Sequence, residues 1–112
     1  MGVRWLCLIV LTAVAPAAAQ IPVGEPFVVN TTTSGVQSYP DAAVGPDGRF
    51  AVVWHSEGQD GSDYGIFARW FSCDGTALSG EVPVNTYTIG KQYVPRIGSD
   101  GQGRFVVVWG DR

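Results

Sequence analysis

The side chains best placed to do chemistry fall in one short acidic segment. Glu57, Asp60 and Asp63 lie in EGQDGSD, separated by Gly58 and Gly61. Carboxylate oxygens on a glycine-bearing loop suit calcium, which takes ~6–8 oxygen ligands, so these three are the metal candidates. Their spacing is neither that of an EF-hand loop nor that of the glycine-rich nonapeptides of calcium β-rolls. A hydrated hairpin turn accounts for the same composition, because Asp and Gly are favoured in turns for backbone reasons. Asp47 and Asp100 precede the two GRF runs and read as turn residues.

His55 is the single histidine, at the end of a strand-like run and with no partner motif beside it, so a structural role is the simpler reading. No nucleophile elbow, Walker loop, H-E-x-x-H or paired metal-binding cysteines occur, so no catalytic residue is assigned and no cofactor is required. Trp54, Trp70, Trp109 and Phe67 have the right chemistry to stack on sugars, but their strand positions favour core packing. Cys73, in a Cys-Asp-Gly turn, is either an inert thiol or one that pairs between chains. Asn30-Thr31-Thr32 matches a glycosylation sequon, which matters only in a eukaryotic secretory pathway.

The elements that position these residues are set by an internal repeat. Residues 30–54 (NTTTSGVQSYPDAAVGPDGRFAVVW) and 85–109 (NTYTIGKQYVPRIGSDGQGRFVVVW) align without a gap at an offset of 55, with twelve identities in twenty-five positions. The closing GRF-x-VVW recurs as Gly48–Trp54 and Gly103–Trp109. Upstream, GEPFVVN (Gly24 to Asn30) is echoed by GEVPVN (Gly80 to Asn85) with one residue deleted.

No stretch after the first twenty residues runs longer than nine residues without Gly or Pro. A typical helix of ~11–12 residues therefore has no room. The uninterrupted runs are strand-sized and rich in Val, Phe, Trp and Tyr. Residues 49–56 put Phe50, Val52 and Trp54 on one face and Ala51 and Val53 on the other, and the second copy repeats the pattern. A strand apolar on both faces is expected to be buried on both. Further strands are expected at 64–72, at 26–30 and 81–85 as edge strands, and more weakly at 41–44 and 96–99. The expected fold is all-β, an array of antiparallel β-propeller-like repeats of about four strands each. A propeller closes with roughly 4–8 blades, so a chain of about 1.5 to 2 units is expected to be a fragment. A small open β-sandwich is the alternative.

Residues 1–19 read as a secretory signal peptide: Arg4, an apolar run from Trp5 to Val14, Pro16, then Ala17-Ala18-Ala19. The apolar run is about half the ~20 residues of a spanning helix, so no membrane insertion is expected after cleavage. The first β repeat then occupies 20–84 and the second, truncated, 85–112. Beyond the leader six Lys/Arg remain, seven less Arg4, against ten Asp/Glu, a net charge of −4. The basic residues are scattered singly, which argues against nucleic acid and anionic membranes. With Cys73 the one cysteine past the leader, no internal disulfide can form.

The motifs VNT-x-T-x-G-x-Q-x-x-P (Val84 to Pro95), GRFVVVW (Gly103 to Trp109), SEGQDGSDYGIFARWF (Ser56 to Phe71) and CDGTALSGE-x-x-VN (Cys73 to Asn85) resemble a family of long repeats in large exported bacterial proteins, often found alongside calcium-binding modules. Two departures are Cys73, where such repeats carry a polar or small residue, and the absence of a second GQDG segment. The resemblance implies a propeller-like architecture in a secreted or cell-surface setting, and it assigns no reaction. A non-enzymatic binding or structural module is therefore expected, its partner a protein or carbohydrate surface. A fragment of a sialidase-like glycoside hydrolase and a calcium-dependent adhesion module are the alternatives.

Overall fold

In the computed structural model, residues 24–112 are described, together with Gly2 and the backbone of residues 4–5, 8–9 and 21–22. The leader expected at 1–19 thus lies almost wholly outside the described residues. Three two-residue strands come first: β1 (Arg4–Trp5), β2 (Leu8–Ile9) and β3 (Ile21–Pro22). β1 pairs with β4 (Phe27–Val28), and β2 pairs with β3.

The main sheet is a meander of β5 (Gln37–Val44), β6 (Phe50–Glu57), β7 (Tyr64–Phe71) and β8 (Val82–Pro83), in that order. A hairpin of β9 (Gln92–Ser99) and β10 (Phe105–Asp111) follows. All strand pairs are antiparallel, no helix occurs among the described residues, and none of the sheets closes on itself. The chain is all-β.

The hairpin lies against the main sheet, with β9 packed across β5, β6 and β7. The sheet therefore has a covered layer on each side. On one side Val52, Trp54, Phe67 and Phe71 form a core with Val29, flanked by Phe27, Ala42 and Phe50. On the other, Ala51, Val53 and His55 face the hairpin. Ala51, Val52, Val53 and Trp54 are each 0% exposed, as their double-sided apolar pattern requires. Full burial of a valine side chain contributes about 1.5–3 kcal/mol.

The second copy behaves differently. Val106, Val108 and Trp109 are 64%, 58% and 38% exposed. The same pattern that buries β6 leaves side chains of β10 exposed on both faces, Val106 and Val108 on one and Trp109 on the other.

The repeat is structural as well as sequential. Shifting β4, β5 and β6 by 55 residues gives β8, β9 and, to within one residue, β10. Hydrogen bonds shift by the same amount. Asn30 Nδ2 donates to Thr32 O (2.6 Å) and Asn85 Nδ2 to Tyr87 O (2.7 Å). Gln37 Nε2 donates to Ser34 O (2.6 Å) and Gln92 Nε2 to Ile89 O (3.1 Å). Gly35 and Gly90 both take positive φ, 73° and 85°, and at each a Cβ would collide with a backbone carbonyl oxygen, that of Glu57 and of Arg112 respectively. Only glycine fits there.

Two strands expected to be short and weak, 41–44 and 96–99, are instead eight residues long. Each begins before its proline and carries it through a β-bulge. Tyr39-Pro40 lies opposite Trp54, and Val94-Pro95 opposite Trp109. The residue before each proline takes positive φ, 53° at Tyr39 and 50° at Val94. The bulge places the proline, which has no N–H to give, where no ladder bond is needed. Conversely, the strands expected at 26–30 and 81–85 shrink to two residues each.

Candidate functional site

The acidic loop connects β6 to β7 as a tight turn: Gly58 N donates to Asp63 O (2.6 Å) and Gly61 N to Gly58 O (3.2 Å). Its three carboxylates point to different partners. Glu57 Oε2 accepts Val36 N (3.1 Å), Asp60 Oδ1 accepts Ser62 N (3.1 Å), and Asp63 Oδ2 is 3.6 Å from Lys91 Nζ. Asp60 Oδ2 is buried without a hydrogen-bond partner and stands where a Cβ on Gly65 would lie. No group of three or more His, Cys, Asp or Glu able to hold a metal ion is gathered among the described residues. A calcium shell needs ~6–8 oxygens, and one oxygen of each of the three carboxylates is already held by a different partner.

The most enzyme-like geometry lies elsewhere. Ser38 Oγ is 2.5 Å from His55 Nε2, across the β5–β6 pair. The imidazole is buried (6% exposed) between Tyr39 and Tyr64, with ring centroids 5.0 and 4.7 Å away. Its other nitrogen, Nδ1, accepts the backbone N–H of Val94 at 3.4 Å, from the bulge of β9. A nitrogen that accepts an N–H carries no proton, so in the neutral ring the proton sits on Nε2 and is donated to Ser38. A serine nucleophile needs the reverse: Nε2 bare to take the hydroxyl proton, and Nδ1–H held by a carboxylate. No carboxylate reaches Nδ1 among its hydrogen bonds. Burial also holds the His55 pKa below its ordinary value, favouring the neutral ring. The dyad is a joint between β5, β6 and β9.

The repeated arginines stay in their own turns. Arg49 Nε is 3.1 Å from Asp47 Oδ2, and Arg104 Nε pairs with Asp100. Both pairs are exposed, and they do not converge. Trp54 and Phe67 are core residues, Cys73 is a free exposed thiol, and Asn30 is 4% exposed, its amide donating to Thr32 O.

One acidic residue was not singled out by its sequence context. Glu81 Oε1 accepts Thr31 N (2.8 Å), Thr32 N (2.6 Å) and the Thr31 hydroxyl, while Oε2 accepts Gln59 Nε2 (3.1 Å). One carboxylate thus fastens the loop after β4 to the acidic turn and to the start of β8. Burial alone would raise its pKa, but the hydrogen bonds from Thr31, Gln59 and Thr32 outweigh it and the net shift is downward. The signal lay in the repeated GE before each VN, where glycine and glutamate recur at 24–25 and 80–81.

An open depression of about 470 Å³ is lined by Tyr87, Ile89, Gly90, Asp111 and Arg112. No family model, curated protein or solved structure matches the chain.

Proposed function

We propose that the chain is a non-enzymatic β-repeat module of an exported protein, with a binding or structural role at the cell surface or outside the cell. Its two units are read as successive propeller-like blades. The observation that carries this reading is the shared set of hydrogen bonds and bulges at an offset of 55, together with the second unit's hairpin covering the first unit's sheet. Such joints recur when identical units stack face on face. The conserved chemistry within the chain is then spent on joints and turns, and the variable loops remain for a protein or carbohydrate surface.

The tautomer imposed on His55 supports the non-enzymatic side, as do the two arginines held in separate turns. A sialidase-like hydrolase needs arginines converging on one substrate carboxylate. The test is to incubate the secreted chain with a panel of glycosides and esters. No turnover is expected. Turnover that vanishes on Ser38→Ala or Arg49→Ala, with the melting temperature kept, would overturn the reading.

A further inference from the structure

The seam between the two units is closed at one point by a group that can change its charge. His55 Nδ1 accepts the N–H of Val94 at 3.4 Å, and Val94 sits in the bulge of β9 on the second unit. The ring is 6% exposed, and its other nitrogen meets Ser38 Oγ on β5, within the first unit. The two contacts answer differently to a proton. Nε2 donates to Ser38 in the neutral ring and in the cation alike, so that contact survives. Nδ1 changes from acceptor to donor, and one N–H then points at another. The bulge is also poised to move: Val94 holds a φ of 50°, which a β-branched residue keeps only while its surroundings enforce it.

The titratable groups on the elements packed around the ring give a cation no partner. β5 carries the Tyr39 phenol and Asp41, whose Oδ2 accepts Ile97 N (3.0 Å). β7 carries the Tyr64 phenol, and Asp63 just before it lies 3.6 Å from Lys91 Nζ. On β6 itself Glu57 accepts Val36 N (3.1 Å). The second unit brings Tyr93 and two cations, Arg96 on β9 and Lys91, 5.9 Å from the centre of the Tyr64 ring. No carboxylate is hydrogen-bonded to the imidazole among the described residues.

We infer that this seam is acid-sensitive: protonation of His55 detaches the β9 bulge of the second unit from the first unit's sheet, while the β5–β6–β7 ladder stays formed. A buried cation facing an N–H is costly, and the strained bulge is the part that can withdraw and let water reach the ring. Burial holds the His55 pKa below its ordinary 6.5, so the closed bulge is fully favoured above that value and loses that advantage as pH falls through the folded value. The positions equivalent to Ser38 and His55 in the second unit are Tyr93 and Gly110, which carry no imidazole. The device thus belongs to this seam and not to the repeat. It rests on contacts internal to residues 38–94 and is independent of the functional reading above.

Amide hydrogen exchange of the full chain, followed by NMR at a series of pH values, tests it, with each rate referred to that of an unstructured peptide at the same pH. His55 is the single histidine, so its ring proton resonances report its titration directly. Protection of the Val94 amide is expected to fall below pH 6.5 by up to about tenfold per pH unit, the slope of one proton, and to level off once the ring is charged. Protection in the β6–β7 ladder is expected to hold over the same range. In His55→Asn the Val94 amide is expected to lose that pH dependence. Should this variant not fold, the unaltered chain decides, because the levelling of Val94 exchange must coincide with the titration of the ring. Val94 protection that stays constant while the ring titrates, a ladder that opens together with Val94, or a pH dependence that survives in folded His55→Asn would each overturn the proposal.

Discussion

Ser38 faces His55 in the first unit, and Tyr93 faces Gly110 at the equivalent position of the second. Bulk has moved from one strand to the other. A Cβ on Gly110 would come within 2.9 Å of the Tyr93 ring, so the ring occupies the space a side chain would need. Gly110→Ala is expected to lower stability by about 1–3 kcal/mol, the usual cost of overpacking. Tyr93→Ser made together with Gly110→His recreates the first unit's pair, and a double-mutant cycle should show the two changes compensating rather than adding. His55 gives a second expectation at this scale. Its folded pKa is lowered by burial, so the unfolded chain binds more protons below pH 6.5. The contribution of the neutral ring is complete above that value and is lost as pH falls through the folded pKa. Urea titrations at falling pH should show this loss in the native chain, and His55→Asn should remove that component of the slope.

At the scale of elements, side chains take over where ladders stop. β8 leaves the sheet after two residues, but Val84 N still donates to Ile66 O (2.8 Å), and Asn85 Oδ1 then accepts Ile66 N (2.7 Å) in place of a backbone carbonyl. The same amide donates to Tyr87 O and Gln92 Oε1, tying β7 to the second unit. Asn85→Ala leaves the buried Ile66 N–H without a partner and is expected to cost about 1–3 kcal/mol in chemical denaturation. Glu81 has a related role between β4 and β8. Its folded pKa lies below the ordinary 4.5, so its contribution is present above that pH and is lost as pH falls through the folded value. Glu81→Ala should reduce stability at pH 7 by about 1–3 kcal/mol and flatten the acid limb of the stability profile. Neither contact was legible in the sequence, since each joins residues far apart in the chain, 50 for Thr31 and Glu81 and 19 for Ile66 and Asn85. The long strands β6 and β7 were legible, because alternation with a period of two is a local property. β5 and β9 were expected too short, because a bulge at Tyr39-Pro40 or Val94-Pro95 breaks that period while the ladder continues beyond it.

For the whole molecule, the offset of 55 predicted the layout of the joints more reliably than it predicted burial. Val52, Val53 and Trp54 match Val107, Val108 and Trp109 in type, but among the described residues only the first set has a layer on both sides. Identical residues thus meet different surroundings, which local pattern cannot encode. The acidic candidates Glu57, Asp60 and Asp63 were legible as a cluster along the chain. Their partners, Val36, Ser62 and Lys91, come from the turn itself and from two other segments. Since each carboxylate is already engaged, EDTA is expected to leave the melting temperature of the chain unchanged. A drop that added calcium reverses would show that the loop rearranges to bind the ion.

The traded pair at 38 and 55 also bears on how such arrays lengthen and shorten in their genes. Asn30, Gln37 and Gly35 are identical to Asn85, Gln92 and Gly90, so a crossover at any of these joints yields a unit that still fits its neighbours. A crossover between 38 and 55 does not. It combines Tyr with His in one recombinant and Ser with Gly in the other, a collision and a void. Chimeras that exchange residues 38–55 for 93–110 as one block should fold, and those cut inside it should not. Exchange between units is therefore expected to carry the span from the first bulge to the end of the following strand as a single cassette.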